Sequence, residues 1–557
     1  MAPNFIGLEH LLLSYPLVKC VGINNTPLSK GIMHVTFLFL LVGTIAEATA
    51  ATTIRLPIIK RPSSSYHEKR QTTSNITTVT APPASQVTKL YNDEASEYLI
   101  RVGIGSPPQN FTLALDTGSS DLWIPSKECP SQTCPLARFD SSQSMTFKST
   151  DQAFKIVYGI GNANGTYGRD TVSIGKLQVQ NQLFGLAKQT DDIIAPGLSN
   201  ENLQEILAVG DTHDGDDDID DRDEIANGIF GLGYPHLASS LNKNNSTTEN
   251  DGSFVFNLAK EGLITEPLFS IYMGSMYDDG WVGEILFGGI NHDMYQNPPD
   301  YASVVSFEKD QTDKPRTYWM TYGQGIRVLH KNDTKLVNHV FPEKHGFIID
   351  TGTTLTYMDH DIANQVVQAV AGEHNVVLDN ASGTYLVPCS IYKQSNRLEL
   401  LLIPEKQNGT NPSEQDDNDM IVIGVPIQDL VIPLDNEELE KATQCMFGIA
   451  PWLPSDSDTT NQLGNQGFVL VGDTVLRSTY LVFDIGKDRI GFAGARGSGG
   501  YVIREHIGTS TSNTGRDNNE NSSNSTIETT SSSSRNSNRR ISIITTVITI
   551  INFFVII

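Results

Sequence analysis

Residues 113–120 (LALDTGSS) return as residues 347–354 (FIIDTGTT), one copy in each half of a 557-residue chain. Each copy is an apolar, strand-like run that ends in Asp-Thr-Gly and two hydroxyl residues. A single Asp-Thr-Gly reads as a turn at the end of a strand. Two with matching flanks constrain the chain to two related halves, the signature of an internal repeat. A second echo joins 228–233 (GIFGLG) to 468–473 (FVLVGD), both apolar runs that reach a glycine.

Between about residues 98 and 493 the pattern is all-β. Short runs rich in Val, Ile, Phe and Tyr are cut by Gly, Asn and Asp turns. The clearest are 98–104, 111–115, 154–158, 285–287, 347–349 and 480–483; long helical patterns are few, and 362–370 is one candidate. Net charge is −25, which argues against nucleic acid, whose phosphates demand Lys and Arg. It suits work in acid, attraction of basic substrates, or plain solubility.

The chemistry the repeat offers is that of a carboxylate pair. Hydrolysing an amide without a metal or a covalent nucleophile requires one group to take a proton from water and another to give one to the carbonyl oxygen. Asp116 and Asp350 sharing one proton do both. Held about 3 Å apart they cannot both ionise, so one pKa rises and the other falls, and the pair titrates as a unit. Gly118 and Gly352 allow sharp turns that bring amide donors to the carboxylates. Thr117 and Thr351 can bond across to the opposite loop. Ser119 and Thr353 can donate to the outer carboxylate oxygens. No zinc spacing, phosphate loop, serine elbow or HExxH motif is present, and no metal or cofactor is expected.

Here the sequence resembles the pepsin family of aspartic proteases, over 97–493. DTGSSDLWIPS (116–126) is similar to that family's first active-site segment, DTGTTL (350–355) to its second, and 154–172 (FKIVYGIGNANGTYGRDTV) to the hairpin that folds over substrate as a flap. The resemblance implies that Tyr158 and Gly159 belong to the flap and that Trp123 hydrogen-bonds Tyr158. It implies disulfides between Cys129 and Cys134 and between Cys389 and Cys445, with Cys20 left over. The implied fold is two β lobes, 94–300 and 301–495, around a central cleft. The implied activity is endopeptidase cleavage of an extended protein or peptide. Where many relatives carry a polar residue two positions after the flap tyrosine, this chain has Ile160.

The ends read as targeting and processing segments. Residues 1–32 precede Met33 as an extra extension. Residues 33–50 hold a short apolar stretch and small-x-small sites of secretory-signal type. Residues 51–70 read as a propeptide that ends at Lys69-Arg70, a site for a kexin-like processing protease, and 71–93 as a Ser/Thr/Pro linker. Residues 496–534 read as a Ser/Asn/Thr-rich stalk, and 535–557 as the removed tail of a signal for a GPI lipid anchor. Asn-x-Ser/Thr sequons recur, Asn110, Asn164 and Asn332 among them. With the Ser-Pro-Pro-Gln run at 106–109, these ends resemble the fungal, GPI-anchored, yapsin-like branch. That implies a monomer at the plasma membrane or wall with a preference for basic residues. Nine of the fourteen residues in 211–224 are acidic. That run either concentrates Lys/Arg-bearing substrates, or is a solvated loop, or is cut near Arg222 to give two chains. The rival function is a non-catalytic surface glycoprotein that kept the protease fold. A glycosidase also uses two acids but has no reason for a repeated Asp-Thr-Gly frame.

Overall fold

Among the described residues of the computed structural model, β-branched and aromatic runs pair into three sheets, in keeping with strand propensity. The structure describes residues 86–93, 97–191, 193–194, 225–240, 251–275, 280–306, 315–379, 382–406, 418–436, 439–452 and 467–507. The secretory and propeptide segments, Lys69-Arg70, the acidic run 211–224 and the lipid-anchor tail lie outside them.

The largest sheet has thirteen strands. At its centre the strand Gln109–Asp116 lies antiparallel to Glu97–Ile104 and parallel to Ile229–Gly231. The second sheet has eight strands, in which Lys335–Ile349 runs parallel to Phe468–Val471. The two echoed segments of the sequence are therefore equivalent: each lies parallel beside the strand that delivers an Asp-Thr-Gly turn. Parallel pairing needs apolar residues on both faces, and all three residues of Ile229–Gly231 and all four of Phe468–Val471 are buried. A four-stranded sheet made of Val377–Asp379, Thr384–Val387, Val431–Pro433 and Cys445–Phe447 completes the second half.

The expected strands appear within observed ones, except that 154–158 runs one residue past the strand Lys148–Val157, and the expected helix is His360–Ala371. Its apolar face, Ile362, Ala363, Val366, Val367 and Val370, is buried, and the Asp359 carboxylate caps it by accepting the Asp361 N–H at 2.9 Å.

Three boundaries differ from the sequence reading. Gln86–Asp93, placed in the linker, is a strand paired with Gly280–Phe287 and Glu97–Ile104. Tyr501–His506, placed in the stalk, is the edge strand of the second sheet, paired with Asp419–Pro426. Short runs at the border of a polar segment carry too little periodicity to be seen; they are held by partners far away in sequence. Glu505, for example, accepts two bonds from Arg327, at 2.7 and 3.1 Å. Finally, Thr479–Asp484 and Arg489–Gly494, assigned by position to the second lobe, pair into the thirteen-stranded sheet through Leu268–Tyr272. The chain crosses back, so a cut at residue 300 does not separate the sheets.

Candidate active site

Asp116 ends its strand and Asp350 directly follows the equivalent one, so pseudo-symmetric strand pairs deliver both carboxylates to one place. Both are fully buried. A Cβ added to Gly118 would stand 2.5 Å from the Asp350 carboxyl carbon and both its oxygens. Only hydrogen at this position lets the two turns approach that closely.

The turns bond each other in a mirrored set. The Thr117 hydroxyl donates to the Ile349 carbonyl at 2.8 Å, and the Thr351 hydroxyl to the Leu115 carbonyl at 3.1 Å. In return the Thr117 N–H donates to Thr351 Oγ1 at 3.2 Å, and the Thr351 N–H to Thr117 Oγ1 at 3.0 Å. Each carboxylate then takes two local donors. The Gly118 N–H reaches Asp116 Oδ1 at 2.8 Å and the Gly352 N–H reaches Asp350 Oδ1 at 2.9 Å. The Ser119 hydroxyl donates to Asp116 Oδ2, and the Thr353 hydroxyl to Asp350 Oδ2 at 2.7 Å. Each glycine and hydroxyl residue singled out in one repeat makes the bond its equivalent makes in the other, and the two threonines bond across.

Burial pushes the Asp116 carboxyl well up, and the Asp350 charge adds to that; the Ser119 and Gly118 donors pull against it. Burial also raises Asp350, against the pull of Thr353, Gly352 and Asp116 itself. The sequence reading expects one value to rise and one to fall. Instead both rise, because loss of water penalises either charge while mutual repulsion separates only the two steps.

Tyr158 is the first residue of the turn joining Lys148–Val157 to Asn162–Ile174, and its N–H donates to the Gly161 carbonyl at 2.8 Å. Its hydroxyl accepts the Trp123 indole N–H at 2.9 Å. Burial, then the Asp116 charge, push its phenol well up, so it stays neutral. Gly159 is exposed at the tip, and Ile160, half-buried, packs on the apolar cluster that contains Tyr158 and Trp123. Cys129–Cys134 and Cys389–Cys445 are both bonded.

Sequence reasoning passed over three residues. Tyr318 is buried; that burial, with the charges of Asp350 and Asp116, holds its phenol up. Asp473 is fully buried and burial pushes it well up, with Arg477 pulling against the rise and Asp350 adding to it. Asp121, directly before the buried strand Leu122–Pro125, is 5% exposed. An acid directly before an apolar, strand-like run was the available signal for the last.

Among the described residues no group of three or more His, Cys, Asp or Glu could hold a metal ion. What the arrangement can do is share a proton between two carboxyls in a site where burial disfavours ionisation of both.

The model of a family described as eukaryotic aspartyl protease matches residues 97–495. Among curated relatives, mucorpepsin from Rhizomucor miehei is 31% identical over 408 residues, covering 72% of this chain and 79% of its own length. Mucorpepsin from Rhizomucor pusillus is 32% identical over 406 residues, with 72% and 80% covered. Human gastricsin is 28% identical over 406 residues, with 73% and 82% covered. Among solved structures, an aspartic proteinase from Irpex lacteus superposes with a TM-score of 0.51 at 21% identity, covering 74% of this chain and 98% of that one, which supports a shared fold.

Proposed function

The chain belongs to the eukaryotic aspartyl protease family, and we propose that it is an endopeptidase in which Asp116 and Asp350 are the catalytic residues. The mirrored bonding of two buried Asp-Thr-Gly turns carries this reading. In the proposed reaction the ionised carboxyl of the pair takes a proton from water. The water oxygen bonds to the substrate carbonyl carbon while the protonated carboxyl gives its proton to the carbonyl oxygen. The tetrahedral intermediate then collapses: the carboxyl that took the water's proton gives it to the amine nitrogen, the other, now ionised, takes a proton from one hydroxyl of the intermediate as the C=O bond re-forms, and the C–N bond breaks, which leaves the pair singly protonated again. Tyr158, held by Trp123, closes over the peptide.

Cleavage of a denatured protein in acid, with and without a pepstatin-type inhibitor, tests the reading. Asp116→Asn and Asp350→Asn should each lose at least about 1000-fold in kcat, as members of a unit do. Wild-type turnover in either variant overturns it.

The finer reading is a surface enzyme of yapsin-like kind, matured after Arg70 by a kexin-like protease and held by a GPI lipid. Its support is the sequence: the signal-like stretch, the dibasic pair, the polar stalk and the apolar tail. Release from membranes by a phosphatidylinositol-specific phospholipase tests the anchor. Preference for Lys/Arg substrates rests on the acidic run 211–224, whose field would gather cations, while Ile160 offers no charge of its own. Peptide-library profiling with that run deleted decides it: a preference that survives deletion does not come from the run.

A further inference from the structure

Asp121 shares a loop with Asp116, yet none of the chemistry above uses it. One carboxylate oxygen accepts the Tyr167 hydroxyl at 2.6 Å, and the other accepts the Ser239 backbone N–H at 2.8 Å. Its own carbonyl accepts the Gly231 N–H at 3.2 Å, beside the strand that flanks Asp116. Tyr167 lies on Asn162–Ile174, the returning limb of the Tyr158 hairpin, and is 2% exposed. Its ring meets Phe154 of the outgoing limb edge-on at 5.2 Å. The Phe154 ring in turn stands 6.4 Å from that of Trp123, the residue that donates to Tyr158.

Apolar packing alone would hold the Tyr167 ring. A carboxylate buried at this point costs desolvation that a leucine or phenylalanine pair would avoid. What the carboxyl adds is direction: two donors from separate elements converge on one planar group, and hydrogen bonds are specific in length and angle.

We propose that Asp121 and Tyr167 form a positioning pair that ties the returning limb of the hairpin to the loop bearing Asp116, and so sets where Tyr158 stands relative to the two aspartates. The pair touches neither substrate nor the reacting atoms. It acts through Tyr158, in parallel with the Trp123 bond. Burial raises the Asp121 carboxyl while the Tyr167 and Ser239 donors oppose that rise, as expected of an acceptor its neighbours are built to satisfy.

The inference rests on the protease reading, and its test is kinetic. Tyr167→Phe removes the hydroxyl and keeps the ring. Asp121→Asn keeps the shape and replaces one of the two acceptor oxygens with an amide donor. Each should lower kcat on an extended peptide about tenfold with KM changed less than about twofold, because misplacement of a group far from the bond broken is felt in the transition state. The double variant should be no slower than either single one, since the two act as a unit. A wild-type kcat in Tyr167→Phe, losses that multiply in the double variant, or a loss carried by KM would each overturn it. Should Asp121→Asn fail to fold, Tyr167→Phe alone decides. If Tyr167→Phe is fully active while Asp116→Asn is dead, only this pair is refuted; an active Asp116→Asn refutes the protease reading itself.

Discussion

Gly118 shows how little tolerance the site has at the scale of a residue. Its missing side chain is the space in which the Asp350 carboxyl sits. Gly118→Ala should therefore push the two turns apart, strain the Thr117 and Thr351 bonds, and lower kcat by about 100-fold or more. Gly159→Ala at the exposed hairpin tip should not. Peptide turnover and melting temperature measured together check this: a Gly118→Ala protein of normal kcat would contradict the close approach. The same scale explains what a reader of the sequence sees and misses. Asp116 and Asp350 stand out because each is framed by a repeat. Asp121 has no such frame, and Asp473 ends an echo whose other copy has Gly233 in its place; both are marked by burial, which a string of letters does not state.

Among elements, the two disulfides close loops of different length. Cys389–Cys445 spans 56 residues and joins a 3-10 turn to the strand Cys445–Phe447; Cys129–Cys134 spans 5. Loop-closure entropy assigns about 4 kcal/mol to the longer and about 2 kcal/mol to the shorter. A Cys389→Ser/Cys445→Ser protein should thus lose roughly twice the unfolding free energy lost by Cys129→Ser/Cys134→Ser, read from urea titrations at one pH. Equal losses would mean that native-state contacts and not the open chain set their contribution. The parallel strand pairs are the other lesson at this scale. Both echoed runs were visible as apolar segments ending in glycine, but that each lies beside its own Asp-bearing strand follows only from how the sheets close.

For the whole molecule, the buried acids dominate the response to pH. Asp116, Asp121, Asp350, Asp429 and Asp473 are all raised, with burial the largest cause in each. A raised carboxyl keeps its proton in the folded chain after the unfolded chain has released it. Stability is therefore fullest below the unfolded value of about 4 and declines as pH rises through the folded values. Each tenfold tightening of a carboxyl's hold on its proton is worth about 1.4 kcal/mol in that decline. Asp140 is held low by Lys127, Glu505 by Arg327, and Asp435, against its slight burial, by Thr443 and Gln444. These three act oppositely: their contribution is lost as pH falls below about 4. The melting temperature should peak near about pH 4 and fall toward neutrality; a flat or rising profile from there to about pH 7 would refute it.

The repeat, the two-hydroxyl flanks and the strand periodicity were all local, and local information sufficed for the fold class, the candidate aspartates and their immediate donors. Three things were decided only by tertiary contact. The edges of the fold moved, because Gln86–Asp93 and Tyr501–His506 take their stability from partners remote in the chain, Gly280–Phe287 and Asp419–Pro426. Both aspartates shifted upward together, because exclusion of water is a property of the packed protein and not of a motif. And Asp121 met Tyr167 across 46 residues of chain, because a hydrogen bond depends on distance in space, which sequence separation does not encode.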